Sequence, residues 1–273
     1  MKYLSGTAVW RVLVLLIAVL VGLLLVPSAR ATLVDGLEYA TFLVAPSAEK
    51  AFERGERHFD VTDPYAYDLS RAEYYFRQAI ELDPQYPHAH HQIARILFLK
   101  GLFDAALAQI EMEIKNQGEV EPNTYYVRGL IHGFREDYVA AEADYRTFLK
   151  KDPKNWAATN DLAWILLKDN RPLEALHAID EVLPYWPINP WLFNNRATAL
   201  YELERLDEAI GDARRASTLV QDVSEEDWAV AYPGNDPGSA GDGLRAFKEA
   251  VAKNLEKIEQ AWAEQNPTAG LPL

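Results

Sequence analysis

Small residues recur in this chain at a fixed interval: Ala72, Ala106, Ala141, Ala175 and Ala209 stand 34, 35, 34 and 34 residues apart. Self-similarity at that period marks a chain built by stacking copies of one supersecondary unit, and it constrains the fold more than composition does. Each alanine opens a helical pattern whose next apolar residue lies four positions on, at Phe76, Ile110, Tyr145, Ile179 and Ala213. Upstream of each lies a second helical pattern with its own small residue, at Gly55, Ala94, Gly129, Ala163 and Ala197. Pro84, Pro153 and Pro187 follow three of the units, and proline steers the residue before it away from helical angles. Two helices need small side chains where their backbones approach closely. One in each helix, 12 residues apart in four of the five units, suits a tight antiparallel hairpin.

Residues 48–221 therefore read as five helical hairpins, and no hairpin alone can bury its apolar side. The first has about five extra residues near Val61–Tyr65, the second has Gly118 in place of proline, and the fifth ends at Gln221 without one. Beyond a loop over 222–241, which contains Pro233–Gly238, the residues Leu244, Phe247, Val251, Leu255, Ile258 and Trp262 recur at spacings of 3, 4, 4, 3 and 4. That single apolar stripe predicts a capping helix over 242–265. Trp228 and Tyr232 are expected to pack back from the loop onto the array. Residues 32–47 read as a mildly apolar linker that covers the first hairpin or tethers it.

The sequence resembles the tetratricopeptide repeat family across about residues 48–221. The likeness is closest at Arg128-Gly129-Leu130, Tyr138, Ala141, Asp144-Tyr145 and Lys151-Asp152-Pro153, and again at Leu206-Asp207-Glu208-Ala209-Ile210. It implies an all-α fold: a right-handed α-solenoid of about five helix-turn-helix repeats, with the first helix of each lining a concave groove. It also implies which residues face that groove, namely those three before, one after and four after the small residue. These are His91, Arg95 and Phe98; Tyr126, Leu130 and Gly133; Asn160, Trp164 and Leu167; and Asn194, Thr198 and Tyr201. An Asn amide donates to and accepts from an extended backbone at once, and Trp and Tyr give flat contact surfaces of low entropy cost. The candidate partner-binding residues are thus Tyr126, Asn160, Trp164, Asn194, Tyr201, His91 and Arg95. The alternative for Trp164 and Leu167 is packing between neighbouring helices. The lysine set with which some relatives grip a C-terminal carboxylate is missing, and Arg95 is the one cation of the group.

Residues 1–31 form a targeting segment, in which Lys2 and Arg11 precede an apolar run from Val12 to Val26. The run is 15 residues, short of the roughly 20 that a helix needs to span a bilayer. Two readings stand: a signal peptide cleaved after Ala29-Arg30-Ala31, or a retained anchor over residues 8–26. In both, the rest of the chain is exported. The chain has no cysteine, so neither a disulfide nor a lipid-modified cysteine is available to it.

Beyond Ala31 there are 24 basic and 41 acidic residues, a net charge of −17. Such a surface repels nucleic-acid phosphates and anionic lipid, and it favours a neutral or basic polypeptide. Membrane contact is expected only through the N-terminal segment. His88 and His91 share a helical face, but two imidazoles do not make a structural metal site. No glycine-rich phosphate loop, G-x-S-x-G or H-E-x-x-H motif is present, and repeats, cap and targeting segment use nearly the whole chain. The expected function is a non-enzymatic interaction scaffold without cofactor, outside the cytoplasmic membrane, periplasmic or anchored. The alternatives are a self-associating structural component of the envelope and an accessory subunit of an envelope enzyme or assembly machine.

Overall fold

The computed structural model describes residues 6–117, 121–231 and 243–267. Every regular element among them is helical. The chain divides into two compact units, Met1–Tyr86 and Pro87–Leu273.

Unit 1 holds α1 (Gly6–Leu24), α2 (Pro27–Val44) and one hairpin, α3 (Ala48–Phe59) with α4 (Leu69–Leu82). Ser47 caps α3 by accepting from the Lys50 amide at 3.2 Å, and Asp68 caps α4 by accepting from Ser70 and Arg71. The extra residues of this hairpin form the connection between α3 and α4. The stretch read as a linker lies largely inside α2, which starts at Pro27 and so crosses the expected boundary at residue 31. Proline suits a first helical position, where its missing N–H costs nothing. Asp35 of α2 then becomes the hub of a charged cluster, lying 2.7 Å from Arg54, 3.3 Å from His58 and 3.2 Å from Arg71. Arg54 is 4% exposed and also lies over the Tyr75 ring at 4.5 Å.

Unit 2 holds four hairpins: α5 (Ala89–Leu99) with α6 (Phe103–Gln117), α7 (Pro122–Phe134) with α8 (Tyr138–Leu149), α9 (Trp156–Lys168) with α10 (Pro172–Val182), and α11 (Pro190–Glu202) with α12 (Leu206–Leu219). All five period-marking alanines are fully buried, as are Ala94, Ala163 and Ala197. Asp137, Asn155 and Asn189 cap α8, α9 and α11, and proline begins α7, α10 and α11. Each hairpin turns through one residue in the left-handed region: Gly101, Glu136, Asn170 and Glu204, with φ of 71°, 63°, 57° and 59°. The next amide then reaches back over the turn, from Leu102 to Leu97, Asp137 to His132, Arg171 to Leu166 and Arg205 to Leu200, at 2.8–3.0 Å. This Schellman-type closure satisfies carbonyls that the ending helix leaves open.

Within unit 2 the first helices α5, α7, α9 and α11 approach one another more closely than the second helices do, which puts them on the inside of the curve. The last hairpin is covered by α14 (Gly243–Gln265), which packs on α12 and α11. Val251 of α14 joins Ala216 and Val220 in a small core flanked by Phe193 and Phe247. The reading of 222–241 as loop is corrected by α13 (Glu225–Ala231). Ser224 and Asp227 cap each other's amides there, Asp227 N to Ser224 Oγ at 3.0 Å and Ser224 N to Asp227 Oδ2 at 3.2 Å. Trp228 does pack back, 5.7 Å from Phe247 and 6.3 Å from Trp191. Tyr232, Pro233–Gly238 and Gly118 lie outside the described residues.

Candidate protein-binding face

The inner helices of unit 2 are joined by a line of side-chain contacts that repeats with the period. Asn195 Nδ2 donates to both the carbonyl and the side chain of Asn160, at 3.2 and 2.9 Å. One hairpin later, Asn254 Nδ2 makes the same double contact to Asn194, at 3.3 and 3.0 Å, and reaches Thr198 Oγ1 at 3.1 Å. One hairpin earlier, the Tyr126 hydroxyl donates to Asp161 Oδ2 at 2.6 Å. Before that, Thr124 Oγ1 meets His91 Nδ1 at 3.4 Å. His91, Tyr126, Asn160 and Asn194 thus hold equivalent places, and each is engaged by the helix that follows. Because Asn254 belongs to α14, the cap occupies the slot of a further first helix.

The inner positions expected to face a partner fall into two groups. Phe98 and Leu130 are 2% and 5% exposed and fill the core. Asn160 is 5% exposed, so its amide serves mainly as a stitch between α9 and α11. His91, Arg95, Tyr126, Trp164, Leu167, Asn194, Thr198 and Tyr201 remain partly accessible. Trp164 has its indole 5.3 Å from the Phe134 ring, and a β-carbon on Gly133 would come within 3.3 Å of it. Tyr126 packs against Tyr145 and Phe148 of α8 at 5.9 and 5.3 Å. Arg95 donates to Gln92 at 2.9 Å, and Lys257 of α14 lies 4.1 Å from the Tyr201 ring centre. Burial, with help from Arg95 and His88, lowers the His91 pKa to about 3, so the ring is neutral at ordinary pH.

Several structuring residues were missed by reading the sequence. Asp161 and Asn195 are 34 apart, so the period would have found them as a pair. An arginine just before the small residue reaches the second helix of its own hairpin three times: Arg54 to Tyr75 at 2.8 Å, Arg128 to Asp144 at 2.7 Å and Arg196 to Asp212 at 3.0 Å. Burial outweighs the arginine at Asp212 and raises its pKa to about 6. At the C-terminal end of unit 2, Trp191 stacks on Phe247 at 4.9 Å with 7° between planes, and Trp156 packs 5.0 Å from Trp191. The neighbouring Tyr185, Trp186 and Ile188 are 55%, 40% and 70% exposed.

The tetratricopeptide repeat family profile matches residues 126–190 and 160–220. Mouse tetratricopeptide repeat protein 16 is 28% identical to this chain over 172 residues, 58% of this chain and 22% of that protein, so the chain spans about a fifth of that relative's length. YrrB, described as a protein with an unusual peptide-binding site, superposes with a TM-score of 0.55 at 17% identity, covering 68% of this chain and 93% of YrrB. PilW, described as a type IV pilus biogenesis factor, gives a TM-score of 0.57 at 14% identity, covering 82% of this chain and 95% of PilW. The period, the hairpins and these likenesses agree: residues 126–220 match the tetratricopeptide repeat family, and the chain shares the helical-repeat fold of these solved structures.

Proposed function

We propose that the protein holds a peptide or extended protein segment against the inner face of α5, α7, α9 and α11, outside the cytoplasmic membrane. The fold itself is that of a protein–protein interaction scaffold. One observation carries the finer reading. Asn194 gives its oxygen to Asn254, but among the described residues its own Nδ2 has no acceptor and the Oδ1 of the neighbouring Asn195 has no donor. A donor and an acceptor one residue apart on α11 offer an extended backbone what it needs. Arg95, Trp164 and Tyr201 supply the aromatic and guanidinium anchors from which binding hot spots are built. The net charge of −17 beyond Ala31, 24 basic against 41 acidic residues, supports a neutral or basic partner.

The location rests on α1. Its described apolar side chains are exposed, from Val14 at 60% to Leu24 at 44%, with Leu25 following at 79%. A continuous apolar surface of this kind needs a non-aqueous neighbour. Among the described residues no single helix is long and apolar enough to cross a membrane, and Ile17–Leu24 qualifies only together with Pro27–Val44, bent from it by 109°. On this reading α1 sits in the bilayer, as signal or anchor, and the repeats lie outside.

Copurification of the full chain tests the scaffold reading. The double variant Arg95→Ala/Tyr201→Ala should lose the partner by at least about tenfold while its helical spectrum and melting stay near wild type. Retention of the same partner by the variant would move the site away from the inner face.

A further inference from the structure

The foot of α1 carries a cavity that the scaffold reading leaves unused. It measures about 490 Å³ and is lined by Arg30 and Ala31 of α2, Arg57 of α3, and Thr62, Asp63 and Tyr65 of the α3–α4 connection. Arg30 is exposed, and its guanidinium has no partner among the described residues. Arg57 gives Nη1 to Glu38 at 2.9 Å and Nη2 to the Ala31 carbonyl at 3.3 Å, while its buried Nε–H has no acceptor among the described residues. The acid of the cavity is turned to its own loop, Asp63 Oδ1 accepting from the Tyr65 amide at 3.1 Å. No side chain caps α2, and its first turn has no acidic residue, so the positive end of this helix is uncompensated. The guanidiniums of Arg30 and Arg57, lining one cavity beside such an end, suit an anionic oxygen cluster.

The source of the anion follows from what surrounds the cavity. Leu33, Leu37 and Val44 recur along one side of α2 and are 38%, 68% and 86% exposed, whereas Asp35 and Glu38 on the other side bind α3. An apolar stripe opposite a charged one is the pattern of a helix lying in a membrane interface. With α1 in the bilayer, the 109° bend lays α2 nearly parallel to the surface, and Arg30 falls at headgroup depth. We propose that this cavity binds the phosphate of an anionic phospholipid headgroup, with α2 resting in the interface beside it. The inference rests on the reading that keeps α1 in the bilayer as a retained anchor, since cleavage after Ala31 would remove Arg30.

The test uses the full chain. Flotation with vesicles of phosphatidylcholine alone reads α1, because choline offsets the phosphate charge and insertion needs no headgroup selectivity. Native mass spectrometry of the detergent-solubilised chain then compares retained phosphatidylglycerol with retained phosphatidylcholine. Wild type should keep phosphatidylglycerol preferentially. Arg30→Gln should cut that retention about fivefold, the weight of one arginine at an anionic surface, and leave flotation unchanged. Arg30→Lys should keep most of it. A chain that floats but retains both lipids equally, or is indifferent to Arg30→Gln, overturns the lipid site while sparing α1. A chain that does not float overturns the bilayer reading itself. Inorganic phosphate binding that needs Arg30, with no preference between the lipids, would make the ligand a soluble phosphate and overturn the lipid source.

Discussion

Gly55 packs its α-carbon against the ring of Phe76, and a β-carbon at that position would lie 2.5 Å from Phe76 Cε1. The same pairing recurs at Gly129, where a β-carbon would lie 3.0 Å from Tyr145 Cε1. The three hairpins with Ile110, Ile179 or Ala213 in the place of the ring carry alanine in the place of the glycine. Gly55→Ala should therefore overpack the first hairpin at a cost of about 1–3 kcal/mol. Combined with Phe76→Ile it should cost less than the sum of the two single changes, a favourable coupling of about 1 kcal/mol in a denaturant double-mutant cycle. Strict additivity would mean that the two residues do not meet.

The left-handed turn residues carry a second prediction. Glu136 and Glu204 hold φ of 63° and 59° at places where the second hairpin uses Gly101. Left-handed backbone costs an L-residue about 1–2 kcal/mol, and glycine avoids most of that. Glu136→Gly and Glu204→Gly should each raise stability by about 1 kcal/mol in urea unfolding. Both side chains are exposed, so little is lost with them.

The period was legible because it rests on volume: a small residue at Ala141 or Ala163 has no substitute where two backbones meet. The stripe from Leu244 to Trp262 was legible for the same reason, and α14 follows it. The stitches were not. Whether Asn160 faces solvent or donors depends on the offset between α9 and α11, which a residue list does not contain. Helix α2 escaped because it meets the first hairpin mainly through ion pairs of Asp35 and Glu38, and the one buried apolar residue on that side, Phe42 against Tyr75, makes no stripe. Helix α13 escaped because it is seven residues long beside proline and glycine.

The asparagine ladder predicts unequal losses. Asn160 is buried and stitched, so Asn160→Ala should cost about 1–3 kcal/mol. Asn254→Ala should cost about 1 kcal/mol and act on the docking of α14. Hydrogen exchange checks this: amides of α14 should exchange faster in Asn254→Ala while those of α7 and α8 keep their protection.

His91 gives a pH signature. Its folded pKa is lowered to about 3 from an unfolded value of 6.5, so between these limits the unfolded chain binds the extra proton. Stability from keeping the ring neutral is complete above pH 6.5 and is lost as pH falls toward 3. Asp212, raised to about 6 by burial, contributes with the opposite sign, since its stabilisation is lost as pH rises from 3.8 to 6. The difference between wild type and His91→Gln isolates the imidazole. That difference should change by up to about 1.4 kcal/mol per pH unit below pH 6. A constant difference, or a His91 ring resonance that titrates near pH 6, would contradict the burial of this ring.

In-cell photocrosslinking reads directly whether the partner lies on the inner helices of unit 2. A photoreactive phenylalanine in place of Tyr201 on α11, or of Leu167 on α9, should yield the same discrete polypeptide adduct. The same residue in place of Val139 on α8, 77% exposed among the second helices, should yield none. Adducts from Val139, or from the Tyr185–Ile188 edge, with none from Tyr201 and Leu167, would put the partner off the inner face.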